Sequence, residues 1–177
     1  MEIFILLIIL VITTVIFVWT IYMIIGDAAG APFVTVDDNV LVKILEQMKL
    51  KKGSDFWDLG SGNGKAVFLA VRKYGTFGYG TEINPLLVLY CRIKAGLSGS
   101  KKVKFEMNNL FKTDISRADY IYFYLFKGTV EKVSQKLEKE CRPGTMVASR
   151  GFEIFRWKNR LTRILETNGW KTYFYKV

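Results

Sequence analysis

A long apolar run near the N-terminus constrains this chain more than any other feature of its sequence. Residues 3–25 form a stretch of 23 residues whose polar side chains are three threonines, at positions 13, 14 and 20, and Tyr22. At a rise of about 1.5 Å per residue, a helix of this length crosses a hydrocarbon core of about 30 Å. The threonine hydroxyls can donate to carbonyls of the preceding turn, so they cost little inside a membrane. The run predicts a transmembrane anchor over residues 1–25.

A cleaved signal peptide is the alternative interpretation of the same run. Ala29-Gly30-Ala31 has the small residues of a cleavage site. Against cleavage, the run is longer than a signal core, no basic residue precedes it, and Pro32 follows. We therefore favour the anchor, with residues 26–36 as a linker and residues 37–177 as the following domain.

Composition excludes several kinds of chemistry. The chain has no histidine and two cysteines, Cys91 and Cys141, so it has no Ser-His-Asp triad, no Cys-His dyad and no histidine-ligated metal site. The formal charge is +10, and all 26 basic residues follow the apolar run. Three interpretations of this charge are open: the basic residues lie on solvated helix faces, they contact anionic lipid headgroups, or they bind nucleic acid. Nucleic acid is the least favoured partner, because the chain is tethered to a membrane.

Residues 37–177 show strands and helices in alternation, which predicts a parallel, doubly wound α/β sheet. Asp37 or Asp38 can cap a first helix with an apolar face, formed by Val40, Leu41, Ile44, Leu45 and Met48. The predicted strands are 54–59, 76–83, 103–107, 119–126 and 145–149, and the predicted helices between them are 64–73, 85–97 and 129–141.

The C-terminal tail has a different pattern. Two strand-like runs, 161–167 and 170–175, are joined by Asn168-Gly169, a pair typical of a type I′ hairpin turn. A helix over residues 159–167 is the alternative. An antiparallel hairpin that follows alternating strands and helices is the ending of the class I methyltransferase fold.

The loop after the first predicted strand reads Asp58-Leu59-Gly60-Ser61-Gly62-Asn63-Gly64-Lys65. Its glycines lack the G-x-G-x-x-G spacing of dinucleotide sites, and Ala66 stands where a P-loop needs serine or threonine. An ordinary tight turn is the alternative. The pattern resembles the S-adenosylmethionine loop of class I methyltransferases. The resemblance implies that Gly60, Ser61, Gly62 and Gly64 face the amino-acid part of the cofactor and that Asp58 helps to hold its ammonium group.

Two further segments predict cofactor contacts. Glu82 ends the second strand, where a carboxylate can accept hydrogen bonds from both ribose hydroxyls. Asn84 follows it and belongs to the same predicted binding segment. After the third strand, Asn108 or Asn109 can accept a hydrogen bond from the adenine amino group, with a turn asparagine as the alternative. The adenine ring is expected between apolar side chains such as Ile83 and Leu110.

These segments together resemble one family, the membrane-anchored protein-lysine methyltransferases that modify the c-type subunit of ATP synthase and the adenine nucleotide translocase. The resemblance rests on 31–34, 57–65, 80–85 and 109–112. It departs at Thr35-Val36-Asp37, where members usually have Pro-Thr-Pro, and at Asn63, where aspartate is common. The resemblance implies S-adenosylmethionine as cofactor, a protein substrate with a target lysine, and a membrane location. Because this cofactor is intracellular, we expect the domain on the cytosolic side of the membrane.

The acceptor is expected at the end of the fourth strand, Tyr122-Phe123-Tyr124-Leu125-Phe126. Most of these aromatic side chains are expected to pack a buried strand. Tyr124 and Phe126 lie nearest its carboxyl end, and we interpret them as catalytic residues that line a channel for an amine. Two other functions stay open: methylation of a lipid or quinone, and a binding module that has kept the cofactor fold without activity.

Overall fold

The computed structural model describes residues 1–28 and 35–177, and within residues 21–28 it describes the backbone alone. Most of the predicted linker, and the Ala29-Gly30-Ala31 segment, therefore lie outside the described residues. The chain divides into two compact units, Met1–Phe33 and Val34–Val177. The first unit contains one helix, α1 (Glu2–Ala28), which extends three residues beyond the predicted anchor.

The threonines of α1 behave as the sequence predicts. Thr13 donates to the carbonyl oxygen of Ile9 at 2.9 Å, and Thr14 donates to that of Leu10 at 2.7 Å. Both hydroxyls therefore have hydrogen-bond partners within the helix and need none from a surrounding apolar medium. By length and composition α1 can cross a membrane, and a signal sequence satisfies the same test.

The second unit is built on a seven-stranded mixed sheet. In spatial order the strands are β3-β2-β1-β4-β5-β7-β6. The first five are parallel to one another, and β7 pairs antiparallel with both β5 and β6. The strands are β1 (Asp55–Leu59), β2 (Phe77–Glu82), β3 (Val103–Met107), β4 (Tyr120–Phe123), β5 (Met146–Arg150), β6 (Leu161–Thr167) and β7 (Trp170–Lys176). This is the Rossmann-like fold of methyltransferases, as predicted.

Helix α2 (Asp38–Met48) precedes β1, and three helices connect consecutive strands: α3 (Lys65–Tyr74), α4 (Pro85–Leu97) and α5 (Lys127–Glu140). The side chain of Asp37 accepts from the backbone N–H of Asn39 at 2.9 Å, so Asp37 caps α2. The five predicted apolar residues of α2 are all buried, in a core shared with α3, α4 and one face of the sheet. A 3₁₀ helix, Phe155–Arg160, which the sequence did not predict, places Trp157 in a fully buried position beside Tyr175.

Two element boundaries differ from the prediction for physical reasons. The predicted strand 119–126 ends at Phe123, because the chain must leave the sheet before α5 begins at Lys127 with Phe126 at its N-cap position. The predicted helix 64–73 begins one residue later, because Gly64 has φ of 72°, in the left-handed region that ends or precedes a helix.

The C-terminal hairpin is confirmed, and the alternative of a helix over 159–167 is wrong. Asn168 and Gly169 have φ of 51° and 73°, the two positive values that a type I′ turn requires. The chain returns through this turn so that β7 lies between β5 and β6. The hairpin therefore brings the first residues of β7 beside the carboxyl end of β5, where Arg150 is opposite Thr172.

Candidate active site

The site lies at the carboxyl edge of the five parallel strands. Strand order reverses between β1 and β4, since the chain builds β1-β2-β3 in one direction and β4-β5 in the other. In open α/β sheets ligands bind at such a reversal, where loops on either side diverge. The glycine-rich loop follows β1 and the aromatic segment follows β4, so the two predicted halves of the site meet at this edge.

The glycine-rich loop is held against the end of β2 by its own backbone. The N–H groups of Gly60 and Ser61 donate to the carbonyl oxygen of Thr81 at 2.8 and 2.9 Å. Gly60 and Gly64 both have left-handed φ angles, 82° and 72°. A Cβ on Gly64 would lie 2.5 Å from Cζ of Phe105, so this position has no room for any side chain. The two hydrogen bonds and the close packing at Gly64 hold the backbone of the loop at the sheet edge.

Glu82 holds the same loop from the other side. Its Oε2 accepts from the N–H of Gly62 at 2.9 Å, and its Oε1 accepts from the N–H groups of Ile83 and Asn84 at 2.9 Å each. Three backbone donors therefore fix the orientation of one carboxylate. Oε1 thus has both of its lone-pair sites engaged, whereas Oε2 retains one and is positioned to accept one further hydrogen bond.

Asp58 is a buried carboxyl group at the end of β1, 4% exposed. Burial, followed by the nearby charge of Glu82, raises the pKa of Asp58 from its ordinary value of 3.8 to about 8. Tyr122 is its neighbour on β4 and is equally buried. Burial, and then Asp58, raise the pKa of the Tyr122 hydroxyl. A cationic ligand group beside Asp58 would favour the ionised carboxylate and so lower the pKa that burial has raised.

The loop residues fit S-adenosylmethionine, the cofactor that the sequence implies. Among the described residues, the buried hydroxyl of Ser61 makes no hydrogen bond and so has unused donor and acceptor capacity within the loop. Ile83 is 42% exposed at the end of β2, and Leu110 is half-buried after β3. A flat apolar ring can therefore contact either side chain without displacing the core.

Two of the predicted contact residues have local structural roles. The side-chain oxygen of Asn84 accepts from the N–H groups of Leu86 and Leu87, which makes Asn84 the cap of α4. The side-chain oxygen of Asn109 accepts from the N–H of Phe111 at 2.9 Å. Both oxygens are already engaged by backbone donors.

Lys65 and Cys91 lie beside the glycine loop but have structural partners. The Lys65 ammonium lies 2.7 Å from the carboxylate of Asp38 and donates to the carbonyl oxygen of Val36. It ties the start of α2 to the start of α3. The Cys91 thiol is fully buried and donates to the carbonyl oxygen of Gly62 at 3.4 Å. Burial raises the pKa of Cys91 to about 12, which excludes it as a nucleophile at neutral pH.

The aromatic half of the site is built around Tyr124. Its ring meets the edge of Trp170 at a centroid distance of 5.9 Å and lies 5.7 Å from the guanidinium carbon of Arg150. A Cβ on Gly151 would lie 3.0 Å from the Tyr124 ring, so this glycine allows the close approach. Phe126 is 48% exposed at the start of α5. Tyr124 is thus enclosed on several sides, whereas Phe126 faces outward.

Arg150 and Tyr122 are residues that sequence reasoning did not single out. Arg150 is 4% exposed, and its Nη1 donates to the hydroxyls of Thr167 and Thr172. Among the described residues, the Arg150 Nε and the Tyr122 hydroxyl are buried without a hydrogen-bond partner. An arginine two residues after the apolar pair Val147-Ala148 was a signal of this role, because a charge at the end of a buried strand requires partners.

Comparison with known proteins decides the family. The sequence profile of the ANTKMT methyltransferase domain matches residues 58–161, more than half of the chain. A protein-lysine N-methyltransferase from Saccharolobus islandicus is 32% identical over 133 residues, which cover 71% of this chain and 80% of that protein.

The chain belongs to the ANTKMT methyltransferase domain family.

Other relatives and structures agree with this membership. The human lysine N-methyltransferase named for the c-type subunit of ATP synthase is 30% identical over 71% of this chain, and the matched part spans 54% of that protein. The crystal structure of an RNA methyltransferase from Salinibacter ruber in complex with S-adenosyl-L-homocysteine is 32% identical, with a TM-score of 0.77 over 81% of this chain and 94% of that one. The methyltransferase fold of the ANTKMT family thus accounts for the sheet described above and the loop that follows β1.

Proposed function

We propose that this chain is an S-adenosylmethionine-dependent N-methyltransferase that modifies lysine side chains of a membrane-associated protein. The observation that carries the proposal is the pairing of the Gly62 N–H with the Glu82 carboxylate beside the buried carboxyl of Asp58. At the carboxyl edge of the sheet, Glu82 is thus a hydrogen-bond acceptor of fixed orientation, and Asp58 is a carboxyl group that can ionise beside a cationic ligand group. Lysine N-methyltransferases among the relatives, archaeal and human, support the reaction and the class of acceptor.

We assign the cofactor to the loop half of the site. Oε2 of Glu82 accepts from a ribose hydroxyl with the one acceptor site that the three backbone partners leave. Asp58 pairs with the ammonium group, and the Ser61 hydroxyl bonds the same amino-acid part. Ile83 and Leu110 contact the adenine ring. When bound, S-adenosylmethionine supplies the methyl group on a positively charged sulfur.

The acceptor lysine enters beside the aromatic half. Its amine must be neutral to attack, because the lone pair on Nζ forms the new C–N bond. The fixed charge of Arg150 disfavours a second cation nearby and so lowers the pKa of an approaching lysine. The faces of Tyr124 and Phe126 contact the aliphatic and methylated parts of the amine. None of these roles requires histidine, which is absent from the sequence.

RNA is the second candidate acceptor. The Salinibacter ruber chain, which this chain resembles at 32% identity, is described as an RNA methyltransferase. The part of the chain after the apolar run contains all 26 basic residues and 15 of the 16 acidic ones, a net charge of +11. This positive charge is also compatible with binding a polyanion such as RNA.

A labelling experiment separates these acceptors. The full chain in detergent is incubated with radiolabelled S-adenosylmethionine and membranes of its source organism, and the products are divided into lipid extract, RNA and protein. Label in protein that releases methyl-lysine on hydrolysis supports the proposal. Label confined to RNA or to lipid overturns the lysine assignment. Glu82→Gln, which removes the negative charge of the proposed ribose acceptor, serves as the control and should incorporate less labelled methyl group.

We propose that α1 anchors the enzyme, with residues 1–25 in the membrane, 26–36 as linker and 37–177 as the catalytic domain in the cytosol, where S-adenosylmethionine is made. The length and apolar composition of α1 support this arrangement. The mass of the mature chain tests it: an intact N-terminus supports the anchor, and cleavage near residue 31 supports a signal peptide. Protease added to sealed right-side-out membranes should leave the domain intact.

A further inference from the structure

Helix α4 carries apolar side chains on two opposite faces. Its inner face packs on the sheet through Val88 and Cys91, which are 2% and 0% exposed. Its outer face consists of five residues that are between 50% and 86% exposed: Leu86, Leu89, Tyr90, Ile93 and Leu97. Their spacing of three and four residues places them in one continuous stripe, which we call the outer stripe of α4.

Such a stripe is unusual on the surface of a domain. A surface helix normally has one apolar face toward the core and a polar face toward water. A contiguous exposed apolar patch marks a surface that another molecule covers. Ile83 and Leu110 are assigned to the cofactor, but the outer stripe lies on the side of α4 opposite Val88 and Cys91, away from the face of the sheet. The proposed reaction therefore does not account for it.

The charge around the outer stripe indicates what covers it. Residues 83–105 contain five basic side chains and no acidic one. Lys94 borders the stripe, with its ammonium 5.7 Å from the centre of the Tyr90 ring. Arg92 donates from Nε to the carbonyl oxygen of Phe105 and is still exposed to solvent. Lys101 follows the helix and is also exposed.

An apolar stripe with a basic border fits the interface of an anionic bilayer. Helices of this kind lie in the interfacial plane, with apolar side chains at the acyl boundary and lysine or arginine at the headgroup phosphates. A second copy of this chain fits less well, because a symmetric contact would bring the same basic border against itself.

We propose that the outer stripe of α4 rests on the surface of an anionic membrane, as a lipid contact of the catalytic domain that is separate from α1. The stripe begins four residues after Glu82, so this contact holds the cofactor edge of the domain close to the bilayer. The exposed apolar side chains of the stripe and the basic side chains beside it support the proposal. It does not depend on which acceptor the enzyme modifies.

Spin-label accessibility tests the contact in the full chain. In a Cys141→Ser background, which leaves the buried Cys91, one label is placed at Leu89→Cys and a control label at Gln135→Cys on the exposed side of α5. The protein is reconstituted in vesicles of three parts phosphatidylcholine to one part phosphatidylglycerol. The Leu89 label should have an oxygen-to-nickel-complex accessibility ratio at least about threefold higher than the Gln135 label. Equal ratios overturn the proposal, as does spin–spin broadening between labels on different copies.

A charge variant tests the headgroup part. Lys94→Glu with Lys101→Glu should lower the ratio at Leu89 to that of an aqueous label, while the chain stays in the vesicle fraction. Lys132→Glu with Lys139→Glu on α5 makes the same change of net charge and should leave the ratio at Leu89 unchanged. If both pairs act equally, the effect is one of total charge and the assignment to α4 is wrong.

Discussion

The two halves of the candidate site differ in what fixes their shape. In the cofactor half, three backbone N–H groups bind the Glu82 carboxylate and two more fix the glycine loop to Thr81. In the acceptor half, the Tyr122 hydroxyl and Arg150 Nε are buried and have no hydrogen-bond partner among the described residues. The cofactor half is therefore shaped by backbone before any ligand arrives, whereas the acceptor half depends on side chains. Substitutions in the two halves should separate accordingly.

Replacing Glu82 should have the largest effect. Glu82→Ala removes the acceptor of three backbone donors as well as the proposed ribose contact, and hydrogen bonds to a charged group contribute about 1.5–3 kcal/mol each. We expect cofactor affinity to fall by about a hundredfold or more, measured by titration calorimetry with S-adenosylhomocysteine. Glu106→Ala, which removes a carboxylate paired with Lys104 on neighbouring β3, should change affinity little. A loss of less than about threefold in Glu82→Ala would contradict the assignment.

Gly64 tests whether the loop is fixed by its backbone. Gly64→Ala combines a left-handed φ with a Cβ placed 2.5 Å from Phe105, and we expect it to lower the free energy of unfolding by about 2–4 kcal/mol. Gly99→Ala is the matched control, because Gly99 has φ of 63° but no atom within 4 Å of its Cβ position. Thermal unfolding of Gly99→Ala measures the cost of backbone strain alone, and the additional loss in Gly64→Ala measures the cost of the contact with Phe105. Equal losses would show that crowding at Gly64 is unimportant.

The raised pKa of Asp58 predicts a pH dependence in the cofactor half. A carboxyl whose pKa rises from 3.8 to about 8 on folding stabilises the protein below the lower value, and that contribution is lost as pH rises through 8. Cofactor binding favours the ionised form, so affinity should rise by up to about tenfold per pH unit below pH 8, with proton release. Calorimetry in buffers of different ionisation enthalpy measures that release, which Asp58→Asn should abolish. A flat profile in the unsubstituted protein would contradict this role.

The acceptor half should respond to Tyr122 without a change in cofactor binding. Tyr122→Phe deletes a buried hydroxyl that has no protein partner among the described residues, so stability should be unchanged or higher by about 1 kcal/mol. If the hydroxyl bonds the acceptor amine, kcat should fall by about threefold to tenfold with cofactor affinity unchanged. Tyr120→Phe is the control on the same strand, since Tyr120 donates to the carbonyl oxygen of Lys49 far from the strand edge. Unchanged kcat in Tyr122→Phe would remove the hydroxyl from the acceptor site.

The placement of the glycine-rich loop and of Glu82 at the ends of neighbouring strands was predictable from sequence, because each is marked by a local pattern. Alternate glycines after a strand, and a carboxylate at the end of a strand, are recognised from a few consecutive residues. The contact between Glu82 and the N–H of Gly62 joins residues twenty apart and is seen only in the structure. Phe126 was predicted as part of a strand because apolar side chains continue through it, and periodicity cannot show where a buried strand ends. Arg150 was missed because its importance depends on Thr167 and Thr172, which are distant in sequence.

The sequence by itself determined the turn at Asn168-Gly169, the cap at Asp37 and the hydroxyl bonds within α1, since each follows from residues no more than four apart. Its alternating pattern also determined the order of the strands and α-helices. Only the tertiary structure decided that β7 lies between β5 and β6, that Arg150 and Tyr122 are buried side by side with Tyr124, and that the outer stripe of α4 is left uncovered. These features depend on which strands and helices become neighbours. That choice is made by long-range packing, which local propensity does not encode.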